Sequence, residues 1–354
     1  MYQQVGVANP QSEMDIIDVV TQVTGLTSGV TSICAGEQHS CAVHNGAAKC
    51  WGSSLLGQLG DPSRGGTVVH LPIQVQGLAS GVVQIACGDV HTCAMLADGT
   101  ARCWGFGFGG VIGDGVVEDS IRAAPAVVTG LSTVDRIAAG GYSSCAVANS
   151  DNETYCWGVD DYGGFGFGAS FDPMNIQTYY SPIRMPNDFS SFGTITDISN
   201  GASVNCAIAG GASYCLGRNR DGTVGDNTDV DKTVPTQVVT LPPSPGVSIS
   251  TRGKVSCVVL ADGKLFCWGD AVAIEGTTHI GTLGDLAQTP QSNSAVQVVG
   301  PDDYKQVSVG VTLICTLRGT ASEVWCWGDN SMGQMAYGNG SDVDSPFPVP
   351  ISLP

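Results

Sequence analysis

The sequence predicts an all-β protein, a β-propeller of six four-stranded blades. Three observations carry this expectation. One unit recurs six times, glycine makes up 49 of 354 residues, and no segment of helical periodicity is long enough for a confident helix. The glycine share is about twice the usual one, which favours tight turns between many short strands.

The repeat is found by aligning on Trp-Gly. Its cores are HSCAVHNGAAKCWG (39–52), HTCAMLADGTARCWG (91–105), SSCAVANSDNETYCWG (143–158), VNCAIAGGASYCLG (204–217), VSCVVLADGKLFCWG (255–269) and LICTLRGTASEVWCWG (313–328). Their closing glycines fall at 52, 105, 158, 217, 269 and 328, at intervals of 53, 53, 59, 52 and 59.

Within one period, the first strand is an apolar, β-rich segment ending in Gly, as in VTSICAG (30–36), VVQIACG (82–88) and VDRIAAG (134–140). The second and third strands are the two arms of the core. A glycine-rich loop follows, as in GQLGD (57–61), GGVIGDG (109–115), GTVGDN (222–227) and GTLGD (281–285). A strand bearing Pro and Val closes the unit, as in LPIQVQGL (71–78). Four antiparallel strands in ~55 residues cannot bury both sheet faces alone; radial stacking of copies buries them against each other. The best helical candidate is EMDIIDVV (13–20).

The closing strand occurs once more than the core. DVVTQVTGL (18–26) precedes the first core and SPFPVPISLP (345–354) follows the last. The simplest reading has one terminal strand completing the blade begun at the other end. A seven-bladed propeller or a fragment of a longer array is the alternative. Residues 1–17 read as an N-terminal extension and 18–354 as one propeller domain.

The cysteines follow the hairpins. Cys41 and Cys50 are symmetric about Asn45-Gly46, a two-residue turn of type I′ chemistry, and Cys206 and Cys215 about Gly210-Gly211. Cys93/Cys103 and Cys257/Cys267 flank three-residue Ala-Asp-Gly loops, and Cys145/Cys156 and Cys315/Cys326 flank loops one residue longer. The pairs stay opposed as core length varies, as cross-strand disulfides require. Cys34 and Cys87 lie one position out of step on equivalent strands of adjacent blades. One step reverses facing, so the two can point toward each other. They are expected to form a seventh, inter-blade bond. Seven disulfides imply an oxidising, extracellular compartment.

The net charge is −18, from 14 basic and 32 acidic residues. Scattered Lys and Arg argue against nucleic acid and anionic membranes as partners. No apolar run reaches the length of a membrane span. The N-terminal stretch lacks the basic and apolar regions of a signal peptide, so secretion implies a leader outside this sequence.

The unit G-x-x-H-[ST]-C-A-[VM]…C-W-G…G-Q-L-G-D resembles the regulator of chromosome condensation repeat family. It is most similar to the cysteine-paired versions of secreted and cell-surface proteins. The resemblance covers residues 18–354 and implies a β-propeller, in the family typically of seven blades. Its founding members exchange nucleotide on a small GTPase and bind chromatin in the nucleus, roles that the disulfides and the charge here oppose. Plant ultraviolet receptors of this fold place Trp in the G-x-x-H motif, where this chain reads GEQHS, GDVHT and GGYSS. A bacterial enzyme inhibitor of the family binds through propeller loops. The shared theme is protein binding, although fold alone does not set function.

Residues that carry chemistry are sparse. His39 and His91 occupy the G-x-x-H motif of blades 1 and 2, but Ser143, Val204, Val255 and Leu313 replace them later, which suits a structural role. His44, His70 and His279 have no recognisable catalytic partner. GFGFGG (105–110) and GGFGFG (163–168) sit where the GQLG loop belongs and read as loop structure rather than phosphate-binding glycines. Asp226, Asp229 and Asp231 offer alternating oxygens for Ca²⁺, and Asp342 and Asp344 form a second acidic pair; no calcium-loop pattern is met, so solvated acidic loops are favoured. No cofactor or metal is expected. Trp51, Trp104, Trp157, Trp268 and Trp327 recur at C-W-G, with Leu216 in blade 4, and read as core. Asn152 and Asn339 head glycosylation triplets. The least regular stretches, 159–193, 226–246, 270–295 and 329–350, are the candidate binding loops. The first holds Tyr162, Phe165, Phe167, Phe171, Tyr179 and Tyr180.

The resulting expectation is a non-catalytic extracellular or cell-surface scaffold that binds a protein partner or self-assembles through its loops. A secreted enzyme inhibitor is the alternative, followed by a lectin, an enzyme or a guanine-nucleotide exchange factor.

Overall fold

A computed structural model of the chain describes residues 20–148, 152–167, 176–201, 203–271, 283–320, 323–331, 334–335 and 344–351. It is an all-β propeller of six blades, each a sheet of four consecutive antiparallel strands. Blade 1 holds β1 (Val30–Ala35), β2 (His39–His44), β3 (Ala47–Ser53) and β4 (Val68–Gln74). Blade 2 holds β5 (Val82–Cys87), β6 (His91–Leu96), β7 (Ala101–Phe106) and β8 (Ile121–Val127). Blade 3 holds β9 (Val134–Ala139), β10 (Ser143–Ala148), β11 (Glu153–Asp160) and β12 (Gln177–Arg184). Blade 4 holds β13 (Ile195–Asn200), β14 (Val204–Ala209), β15 (Ala212–Gly217) and β16 (Lys232–Gln237). Blade 5 holds β17 (Gly246–Arg252), β18 (Val255–Leu260), β19 (Leu265–Asp270) and β20 (Gln291–Gln297). Blade 6 holds β21 (Tyr304–Val309), β22 (Leu313–Arg318), β23 (Glu323–Gly328) and β24 (Ser345–Pro350). Among the described residues, helix is confined to three single 3₁₀ turns, Pro62–Arg64, Phe108–Gly110 and Phe189–Phe192. Residues 13–19 of the helical candidate lie outside the described residues.

Contacts group the strands into two compact units. Unit 1 carries blades 1 to 3, on Thr21–Asp161 and Pro173–Met185. Unit 2 carries blades 4 to 6, with Tyr162–Asp172 and Pro186–Pro354.

The expected exchange of a terminal strand does not occur. Blades 1 and 6 each close with their own fourth strand, β4 and β24, and residues 20–29 form no strand before β1. The fourth strand is tethered to its own core by a single loop. Closing that loop costs less entropy than recruiting a strand from the far end of the chain. Val23 and Leu26 instead pack on Ala42 and Trp51.

Blades stack by one device. In unit 1, Leu59 from the glycine-rich loop and Val75 and Leu78 after β4 pack on Val82, Ile85 and Trp104 of blade 2. Val111, Ile112 and Val128 do the same to Val134, Ile137 and Trp157 of blade 3. Unit 2 repeats the pattern, with Val224 and Val238 against Ile249 and Trp268, and Leu283 and Val298 against Val307 and Trp327. The first strand of blade 1 departs from it. Ile33, Ile85 and Ile137 hold the same register position, opposite Ala42, Ala94 and Ala146. Ile33 is 75% exposed, against 3% for Ile85 and 1% for Ile137.

Candidate interaction surface

The hairpins set the framework of the site. Asn45 and Gly46 have φ of 51° and 77°, the left-handed pair that a type I′ turn demands. This register sets Cys41 opposite Cys50, and equivalent hairpins oppose Cys93 and Cys103, Cys145 and Cys156, Cys206 and Cys215, Cys257 and Cys267, and Cys315 and Cys326. All six pairs are bonded, with Cα atoms 4.1 Å apart. Cys34 is bonded to Cys87, joining β1 to β5. The sulfurs of Cys34, Cys41 and Cys87 cluster within 4.8 Å, but all three are spent in disulfides.

His39 and His91 are buried joints between blades. Nε2 of His39 lies 2.8 Å from Thr92 Oγ1, and Nε2 of His91 lies 2.8 Å from Ser144 Oγ. Those hydroxyls donate onward to Gln58 O and Val111 O. The same two carbonyls accept the indole N–H of Trp104 and of Trp157, at 2.8 Å each. In blade 5, Trp268 and Ser256 share Thr223 O in the same way. His279 lies outside the described residues.

The described aromatic residues proposed as a binding loop differ in exposure. Phe165 is fully buried. It stands eight residues after Trp157, as Leu59 does after Trp51, so it fills the place of the loop's core residue and cannot meet a partner. Tyr162 lies under Arg218 and Arg220, with ring distances of 5.5 and 5.9 Å. Phe167 is exposed, and Tyr179 and Tyr180 are half-buried on β12. Burial and then the charge of Asp160 raise the Tyr179 pKa. Phe171 lies outside the described residues, as do Asn339 and Asp342.

Two of the three calcium candidates, Asp226 and Asp231, are engaged within their own loop. Asp226 pairs with the Lys232 ammonium at 2.6 Å and accepts from Asn219 Nδ2, Thr228 N and Thr228 Oγ1. Burial works to raise its pKa, but these donors outweigh burial and hold it below the ordinary carboxylate value. Asp231 accepts from the Asn219 backbone N–H and faces Arg220 at 3.7 Å, while Asp229 is exposed. A lysine ammonium thus meets the charge that a cation would meet, and the arrangement braces the loop.

A different patch stands out, in unit 1. Long loops and short turns share one end of its blades: Ser53 N bonds Gln38 O, Phe106 N bonds Val90 O, and Val159 N bonds Tyr142 O. At this end Phe106 and Ile121 face each other across β7 and β8. The Phe106 ring stacks on Phe108 at 6.1 Å, and Phe108 meets Tyr142 edge-on at 5.5 Å. Phe108 is 42% exposed and Tyr142 48%. Glu37, Asp89, Glu118, Asp119 and Asp160 belong to these turns and loops, and the nearby Arg122 is bonded to Asp114 at 2.7 Å. The available signal was aromatic residues in GFGFGG and GGYSS at positions where blade 1 has Ser53, Leu55 and Gln38.

One charged cleft, of about 540 Å³, is lined by Asp262, Asp302, Asp303, Lys305, Arg318 and Glu323. Three of its carboxylates have near partners: Asp262 has Lys264, Asp303 has Arg318, and Glu323 accepts from the Trp325 indole.

Comparison with known proteins fits this architecture. Residues 45–95 match a regulator of chromosome condensation (RCC1) repeat profile, and residues 82–110 match a second one. The chain is similar to the Arabidopsis thaliana ultraviolet-B receptor UVR8, 29% identical over 333 residues, covering 93% of this chain and 71% of the receptor. It is 25% identical over 350 residues to the human E3 ubiquitin-protein ligase HERC2, spanning only 7% of that protein. Among solved structures, human WBSCR16 superposes with a TM-score of 0.77 at 18% identity, over 93% of this chain and 83% of that one. Prp20p from Saccharomyces cerevisiae, described with its binding to Gsp1p and histones, superposes with a TM-score of 0.72 at 17% identity, over 92% and 77%.

Proposed function

We propose that this chain, whose residues 45–110 match regulator of chromosome condensation repeat profiles, is a non-catalytic protein-interaction scaffold working through loops at the blade ends. One observation carries the reading. Exposed Phe108, Ile121 and Tyr142, with half-buried Phe106 between them, form an apolar strip on a disulfide-braced frame. Aromatic anchors on a rigid support bind proteins at low entropic cost. The relatives' own activities are not carried over, because several of those proteins extend far beyond the matched region.

The test is photo-crosslinking from position 108 in the protein's native surroundings. Wild-type flanking sequence should yield a defined protein adduct. Phe108→Ala with Tyr142→Ala, probed from a neighbouring site, should lose that adduct at an unchanged unfolding midpoint. An unaltered adduct pattern overturns the reading.

The same reading places the protein outside the cell and treats residues 18–354 as one domain. Support for the location comes from the seven bonded cysteine pairs, since disulfides persist in oxidising compartments. Peptide mapping of the native protein without reduction checks it: free thiols at these positions would move the protein to a reducing compartment. Asn152, half-exposed at the β10–β11 turn with φ of 59°, is the proposed glycan acceptor, and the same mapping would show the added sugar mass or its absence.

A further inference from the structure

We propose that the Ile121–Phe106–Phe108–Tyr142 strip receives a basic peptide segment, with lysine or arginine side chains laid over the aromatic rings. This deepens the interaction reading and rests on it. The aromatic pair supplies the first half of the argument. Phe108 and Tyr142 meet at an interplanar angle of 70°, so two differently oriented rings flank one exposed corner. A cation held over such a ring is attracted by its negative face. The protein uses this contact elsewhere: Arg318 lies 4.4 Å from the Trp325 ring and Arg218 5.5 Å from Tyr162.

Charge supplies the second half. Asp119 accepts the Gly109 N–H at 2.8 Å, which fixes a carboxylate beside the turn that carries Phe108. Glu118 precedes it in the same exposed loop. Asp89 N bonds Gly140 O, two residues before Tyr142, and Asp160 follows Val159, whose N–H bonds Tyr142 O. An acidic partner would meet like charge here. A purely apolar one would strip water from these carboxylates without repaying them. A second copy is poorly suited, because the chain holds 14 basic residues against 32 acidic ones. Long aliphatic stems ending in a cation match both the rings and the rim.

The site is also pre-organised. Phe108 opens the 3₁₀ turn Phe108–Gly110, and Gly110 is packed so closely on the Tyr179 and Tyr180 backbone that a Cβ there would lie 2.8 Å away. The rings therefore need little ordering on binding.

The experiment is fluorescence anisotropy with the full chain and three synthetic peptides of one length: lysine/arginine–leucine, glutamate–leucine and serine–leucine. Phosphatidylcholine vesicles serve as a fourth probe. The basic peptide should bind, and its affinity should fall about tenfold on raising salt from about 0.05 to 0.5 M. Phe108→Ala with Tyr142→Ala should weaken it at least about tenfold. Glu118→Gln with Asp160→Asn should weaken it about threefold. Unfolding midpoints of all variants are recorded alongside. Strip-dependent binding of the glutamate or serine peptide, or of the vesicles, in place of the basic peptide overturns the inference and leaves an interaction surface standing. No strip-dependent binding of any probe overturns it as well. If the crosslinking described above is also silent, the interaction reading falls with it.

Discussion

Leu216 occupies the position that tryptophan takes in the other five repeats, and the loss is repaired by a different residue. Without an indole N–H, the loop carbonyl of Gly164 would lack the donor that Gln58, Val111 and Thr223 receive. Asn205 Nδ2 reaches it at 2.9 Å from the strand position facing Leu216. Asn205→Ala should therefore destabilise the protein by about 1–3 kcal/mol, the cost of a buried unpaired carbonyl. Ser256→Ala should cost less, about 0.5–1.5 kcal/mol, because Thr223 O keeps its indole partner. Chemical denaturation compares the two, and equal losses would refute the repair. Tyr304 makes a second prediction. Burial pushes its pKa up to about 12, and its hydroxyl donates to Val299 O at 2.6 Å. The folded state favours the neutral phenol. Its stabilisation is thus complete below the unfolded pKa near 10 and is lost as pH rises toward 12. Tyrosinate absorbance should show a late-ionising component that shrinks in Tyr304→Phe, with Tyr179 accounting for a remainder. The Trp-to-Leu replacement was legible in the repeat. The Asn205 repair was not, because the donor and the carbonyl it serves lie 41 residues apart on neighbouring blades.

At the scale of the element, hairpins were the most legible features and strand faces the least. Turn dipeptides and opposed cysteines set register locally, so the pairing of each core could be read from spacing alone. The GFGFGG loop was read as structure, and its backbone is. Phe108 nevertheless turns outward, since Ile112 already fills the core place in that loop, and Phe106 is half-buried beside it. Conversely, Phe165 looked like a surface aromatic and is the core residue of blade 3's loop. The first strands differ in the same way. Ile85→Ala should cost about 2–4 kcal/mol and Ile33→Ala under about 0.5 kcal/mol, although the two share one register position. Unfolding midpoints of the two variants decide this; comparable losses would mean that Ile33 is covered in the protein as it exists.

Across the whole molecule, the blade count, the four-strand unit, the cross-strand cysteine register and the acidic surface were determined by the sequence by itself. Each arises from contacts between residues close in the chain, or from simple composition, and a repeated unit states its local rules six times over. Only the tertiary structure decided that every blade closes with its own fourth strand, and that Phe165 is buried while Phe108 and Tyr142 are presented. It also decided that Asp226 is committed to Lys232. The burial of Phe165 and the presentation of Phe108 and Tyr142 depend on which neighbour covers a given face. A loop residue three positions from another is core or surface according to the blade it meets, and that information lies some fifty residues away.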